Sequence, residues 1–194
     1  MYYKDKNHNT NLMTKTPKIL PFPGSGQEKY LNYLDILEKL NIDLVNANTK
    51  EEKGKTNFQI GLIYYLMGKY IMTKDYLENG IKYKPRFAYY ILGLSHFKKG
   101  QLIEKSGNFY AAKFNYDRSI FYFKKALCQH SQEISDFEIK LALGKVFNEL
   151  NDYYQLSSLL QEMVYNDCEQ VAHQIYKDFE ADKTLLKKEL SDII

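Results

Sequence analysis

The chain has no tryptophan, two cysteines and only four prolines in 194 residues. Three of those prolines, Pro17, Pro21 and Pro23, fall within the first 26 residues, so the rest is nearly free of helix breakers. Cys128 and Cys168 have no CxxC companion, which excludes a disulfide framework or thiolate metal site. Buried free thiols in a reducing compartment are the expectation. Long apolar runs are missing too. The longest, Ile60 to Met67, is far too short to cross a bilayer, and the polar stretch Met1 to Asn11 is no secretory signal. The prediction is a cytoplasmic protein with no membrane span, short of a leader or anchor removed beforehand. Net charge is only +3, and the lysines interleave with Asp and Glu rather than forming a stripe that could track phosphates. Nucleic acid is therefore not an expected partner.

Catalytic patterns are equally scarce. Gly54-Lys55-Thr56 imitates the end of a phosphate-binding loop, but Thr49 stands where the leading glycine is required and no strand precedes it. Gly24-Ser25-Gly26 lacks a third glycine and reads as linker. His8, His96, His130 and His173 show no metal-ligand spacing, and His96 sits where a packed core residue belongs. No serine occupies a GxSxG elbow, and no nucleophile or carboxylate pair stands out. The chain reads as a non-enzyme without cofactor or metal.

What the chain has is aromatic bulk and a repeat. Hydrophobic residues make up 44%, with 18 Tyr and 11 Phe, enough for one domain with a real core. A hairpin pattern recurs three times. Its clearest copy runs Ile60-Gly61, Tyr64, Gly68, Tyr70, Thr73, Leu77, Gly80-Ile81, Pro85. A second copy carries Tyr89, Leu92-Gly93 and His96-Phe97, then Gly107, Phe109, Ala112, Tyr116 and Ser119-Ile120. The third carries Leu143-Gly144, Phe147, Asn151, Tyr153, Leu156, Leu160 and Met163-Val164. In each, small residues stand where two helices would touch and aromatics where they would fill the gap.

This spacing resembles the tetratricopeptide (TPR) repeat, whose period is about 34 residues, over roughly residues 54–168. The copies are degenerate: Thr73 and Leu156 replace the usual alanine, and Asn151 replaces the turn glycine. The resemblance implies an all-α, TPR-like superhelical solenoid of antiparallel helix hairpins, each burying its apolar face against its neighbours. In the second copy the turn signal Ser106-Gly107-Asn108 comes seven residues late, and Phe123, Ala126 and Leu127 prolong the returning helix. That predicts an extended hairpin, longer by two turns or ~10 Å. A short extra helix inserted around Gly100 to Ser106 is the alternative.

The expected organisation is a flexible N-terminal arm over 1–26 and a single helical domain over 27–194. Within the domain lie a capping helix at 27–48, repeat one at 54–85, extended repeat two at 86–131 and repeat three at 137–168. C-terminal capping helices occupy 169–194. Ser25 followed by Glu28 gives the first helix a capping-box signature, and Tyr30, Leu34, Leu37, Leu40 and Leu44 share one of its faces. Asn48 to Gly54 reads as a polar linker.

In TPR folds the first helices line a concave groove that takes peptide or helix segments. Carried over, the resemblance implies a partner-binding groove of Phe58, Leu62, Tyr65, Phe87, Tyr90, Leu94, Phe97, Lys145 and Asn148, flanked by Lys55, Leu66, Lys98, Glu138, Leu141 and Glu149. The carboxylate-clamp version of the family is not expected, because Phe58 with Leu62 and Glu138 with Ala142 occupy its key places. The expected function is a protein–protein interaction adaptor with an apolar, aromatic groove. Two alternatives stay open. The long hairpin and terminal helices could mediate stable homo- or hetero-oligomerisation, or the chain's own Ile19–Pro23 arm or C-terminal helix could fill the groove.

Overall fold

Seven helices and no strand are found among the described residues, which in this computed structural model are 25–131 and 133–165. The arm up to Gly24, the Ile19–Pro23 segment, the C-terminal helices of 169–194, His8, Cys168 and His173 lie outside the described residues, as do the side chains of the Ser25–Glu28 capping signature. The order is α1 (Ser25–Asn46), α2 (Lys50–Leu66), α3 (Tyr70–Gly80), α4 (Pro85–Lys105), α5 (Phe109–Leu127), α6 (Asp136–Glu149) and α7 (Tyr153–Tyr165).

Three of the connections have one solution. Gly68, Gly107 and Asn151 adopt positive φ values of 69°, 83° and 55°. At each, the residue's own N–H bonds three residues back and the next N–H five residues back, as in Gly68 to the Tyr65 carbonyl and Lys69 to the Tyr64 carbonyl. These are Schellman turns, which satisfy the last carbonyls of the outgoing helix and need a residue that tolerates the left-handed region. Asparagine tolerates it because its short polar side chain bonds locally; here Asn151 Oδ1 accepts from the Tyr153 hydroxyl at 2.9 Å.

Each helix packs mainly on its neighbours in the chain: α2 on α3, α4 on α5, α6 on α7, with α3 against α4 and α5 against α6. The first helices of successive hairpins also touch, α2 with α4 and α4 with α6. Close approach within hairpins is set by missing side chains. A Cβ on Gly80 would fall 2.5 Å from the Phe58 backbone nitrogen, and one on Gly93 would fall 2.6 Å from the Phe123 ring. Around these contacts sit two cores. One groups Phe58, Leu77, Ala88, Ile91, Leu92 and Tyr122. The other gathers Phe97, Tyr116, Phe123 and the inner faces of α6 and α7. Phe87, Tyr89, Tyr90 and Leu94 of α4 pack against both, so α4 is the shared wall. Each fully buried Leu or Phe contributes about 1.5–3 kcal/mol.

The second hairpin is the long one. α4 and α5 have 21 and 19 residues, against 17 and 11 in the first hairpin and 14 and 13 in the third. α4 runs unbroken through Gly100 to Lys105, so no extra short helix is inserted there. Gly100 stays helical and lets the Tyr116 ring lie against the backbone, where a Cβ would sit 2.5 Å away.

Three local expectations are corrected. Asn48 to Gly54 is no linker: Thr49 caps α2, accepting from Glu52 N–H at 3.1 Å while Glu52 accepts from Thr49 N–H at 3.0 Å. Gly54-Lys55-Thr56 is therefore helical, which removes any phosphate loop. Pro85 does not close the first hairpin but opens α4 as its first residue, where a missing N–H costs nothing. Cys128 is not buried; it lies exposed at the end of α5 as a free thiol.

One buried charge joins the second hairpin to the third. Arg86, in the first turn of α4, is 4% exposed. Its guanidinium donates to the Gln129 carbonyl and pairs with the Asp136 carboxylate at the start of α6.

Candidate functional site

The expected groove residues of α2 and α4 do converge, but not as a uniform surface. Phe58 and Phe97 are 4% and 6% exposed. They are core residues and cannot act as anchors for a partner. The Phe58 ring lies 5.7 Å from Tyr83 and 5.8 Å from Phe87, and Phe97 lies 5.9 Å from Tyr116. The resemblance implies a groove position for both, and such a carry-over cannot tell a covered position from one left open.

The other five aromatic and aliphatic positions are half-buried. Leu62 and Tyr65 on α2, with Phe87, Tyr90 and Leu94 on α4, pack on the first core while keeping one side toward solvent. Phe87 and Tyr90 stack at 6.4 Å, the Tyr90 ring lies 5.8 Å from buried Phe123, and Tyr65 lies 6.2 Å from Tyr70. Their undersides are thereby fixed, so a partner would meet preset rings rather than mobile ones. Burial, then the neighbouring Tyr70 and Tyr90, pushes the Tyr65 hydroxyl above its ordinary pKa. Burial, then Glu138, does the same to Tyr90. Both hydroxyls stay protonated at neutral pH and remain donors.

On α6, Leu141 is half-buried against the second core, Lys145 is exposed and Asn148 is half-buried. Glu149 is engaged by α4, accepting from Gln101 Nε2 at 2.6 Å. Lys98 is exposed, its ammonium 3.3 Å from Gln101 Oε1 and 5.9 Å from the centre of the Phe97 ring. Lys55 and Leu66 are exposed, and Glu138 is spent on capping α6 through Ser135.

His96 is a packed, neutral histidine. Its ring stacks on Tyr122 at 5.4 Å, and Nδ1 lies 3.2 Å from Asn115 Oδ1. Because Asn115 Nδ2 donates to the Ala111 carbonyl at 2.7 Å, the Asn115 oxygen is the acceptor and Nδ1 carries the proton. Among the described residues no group of three or more His, Cys, Asp or Glu could hold a metal ion, and no helix is long and apolar enough to cross a membrane.

Two features escaped the reading of spacing. The outer face of α5 exposes Tyr110, Phe114 and Phe121, with Arg118 5.5 Å and 5.9 Å from the centres of the two Phe rings. Their spacing of four and then seven residues, which keeps them on one side of a helix, is the available signal. On α1, Leu31, Leu34, Ile42 and Val45 are exposed beside a cavity of about 640 Å³ that Tyr64 also lines. Only Leu37 of the expected α1 face is fully buried; Tyr30, Leu40 and Leu44 are half-buried.

No family model, curated protein or solved structure matches the chain.

Proposed function

We propose that this chain is a non-enzymatic, cytoplasmic adaptor of TPR-like solenoid architecture that binds an apolar segment of another protein. One observation carries the reading: Leu62, Tyr65, Phe87, Tyr90 and Leu94 form a half-exposed strip whose undersides are packed on the core. Protein-binding hot spots are built from such rigid aromatics, which lose little freedom on binding. The chain order of packing, with α2, α4 and α6 in succession, supports the solenoid reading. Burying three or four of these side chains at about 1.5–3 kcal/mol each, less the ordering cost, corresponds to micromolar affinity.

The test is affinity capture from the native cell extract with wild type and a Tyr65→Glu/Tyr90→Glu variant of verified helicity. A captured protein is then mapped to a peptide and titrated. Micromolar binding to wild type and loss in the variant supports the adaptor; equal retention by both removes the strip from consideration.

A second reading, assembly through the long hairpin and the terminal helices, is favoured by the exposed Leu31, Leu34, Ile42 and Val45 of α1. Sedimentation equilibrium distinguishes it. A dimer that Leu34→Glu/Ile42→Glu dissociates favours assembly, and a monomer at all concentrations rejects it.

A further inference from the structure

The second hairpin carries a surface that the groove does not use. Its turn, Gly107, comes 14 residues after Gly93, whereas Gly68 follows Gly61 by seven and Asn151 follows Gly144 by seven. The helices thus run about 10 Å further at 1.5 Å per residue. Every residue from Lys105 to Tyr110 is exposed. Large apolar side chains flank the polar turn Ser106-Gly107-Asn108: Leu102 is 58% exposed, Phe109 66%, Tyr110 93% and Phe114 58%. The first turn also exposes Leu66 and Ile71, but its helices stop seven residues sooner.

The tip and the adjoining turns of α4 and α5 are net basic. Residues 98–118 hold Lys98, Lys99, Lys105, Lys113 and Arg118 against Glu104 and Asp117, a net +3 that equals the net charge of the whole chain. Both carboxylates are engaged: Glu104 accepts from the Tyr116 hydroxyl at 2.5 Å, and Asp117 lies 3.4 Å from Lys113. The outward-facing cations have no such partner at Lys105 or Arg118 among the described residues.

We infer that the tip of α4 and α5 is a peripheral membrane contact, inserting Leu102, Phe109, Tyr110 and Phe114 into the headgroup layer of an anionic lipid surface. The projection matches the roughly 5–10 Å depth to which interfacial apolar side chains sink. Lys105 and Lys113 lie among these residues in the headgroup layer, where aromatic rings and cations sit together. A convex tip meets a fluid bilayer without needing a complementary hollow, as a folded partner would require. Single-stranded nucleic acid fits less well, because Arg118 lies over the Phe114 and Phe121 rings that bases would stack on.

The experiment is flotation of the full chain with phosphatidylcholine vesicles and with vesicles of equal parts phosphatidylserine and phosphatidylcholine. Wild type binds the anionic vesicles and not the neutral ones, and raised salt weakens binding. Phe109→Ser/Tyr110→Ser loses roughly tenfold or more in vesicle affinity. Lys105→Gln/Lys113→Gln loses about fivefold per cation removed. The groove variant Tyr90→Glu floats like wild type, which separates this surface from the adaptor strip. Circular dichroism confirms that the variants keep their helicity; every substituted tip residue is exposed. Absence of wild-type binding to anionic vesicles overturns the inference, as does equal binding by the tip variants. Binding to oligouridylate or to an acidic aromatic peptide without vesicle binding also overturns it and reassigns the tip.

Discussion

The second and third hairpins share a spacing signature and differ in how tightly it is used. Gly93 and Gly144 hold the same place on α4 and α6. A Cβ at Gly93 would meet the Phe123 ring at 2.6 Å, whereas at Gly144 the nearest atom, on Leu156, is 3.5 Å away. The first is a position no side chain can share; the second is an ordinary van der Waals distance. Opposite Gly93 stands fully buried Phe123, and opposite Gly144 stand Leu156 and Leu159, which leave room. At Gly61, the same place in the first hairpin, a Cβ would meet Leu77 at 2.7 Å, so the approach of the facing helix, and not side-chain size alone, decides whether the glycine is a constraint.

The largest expected effect comes from emptying the tight hairpin. Phe123→Ala should cost about 3–5 kcal/mol in urea denaturation, because the fully buried ring packs within the second core and against Tyr90 of α4. Next, the paired glycines should respond with opposite sign. Gly93→Ala should destabilise by about 1–3 kcal/mol through overpacking. Gly144→Ala should stabilise by up to about 1 kcal/mol, since alanine suits a helix interior and finds space there. Destabilisation by both would mean that the third hairpin is as tight as the second.

Smaller effects test the turns. Gly107→Ala, at φ 83°, should cost about 1 kcal/mol, while Asn151→Gly, at φ 55°, should change stability by only a few tenths, roughly. Comparison of melting temperatures checks both.

The smallest expected effect is on pH dependence, read at two residues of the second hairpin. Burial, then the hydrogen bond to Glu78, pushes the Tyr122 hydroxyl up to about 12. An unfolded tyrosine ionises near 10, so this contribution is complete below about pH 10 and is lost as pH rises through about 12. Burial also lowers His96 below the usual histidine value of 6.5; the Asn115 hydrogen bond opposes this, and Lys99, Arg118 and Lys74 add to it. Its contribution is present above pH 6.5 and fades as pH falls through the lowered value. Stability of Tyr122→Phe should flatten on the alkaline side and that of His96→Phe on the acid side, measured by denaturation across pH.

Where reading the chain succeeded, the reason is local. Gly68, Gly107 and Asn151 were legible as turns because few residues adopt positive φ, whatever surrounds them. The late turn at Gly107 likewise exposed the long hairpin. The capping box at Thr49 and Glu52 is equally local, although the stretch around it reads as a polar linker. Arg86 was not legible at all. Its buried position depends on Gln129 and Asp136, more than forty residues away, and nothing in its own neighbourhood announces them.

The candidate site divides along the same line. The resemblance implies one groove of Phe58, Leu62, Tyr65, Phe87, Tyr90, Leu94 and Phe97 on α2 and α4, and the five half-buried ones do lie against one core. It makes Phe58 and Phe97 their equals, although both are buried.

By itself, the sequence determined the helices, the three left-handed turns and the extra length of the second hairpin. These follow from backbone sterics, capping and period, all of which act within a few residues. Only the tertiary structure decided which aromatics became core, which became the half-open strip, and which, like Phe109 and Tyr110, remained in solvent. Burial is a property of what packs alongside, and a single helix carries no record of its neighbours.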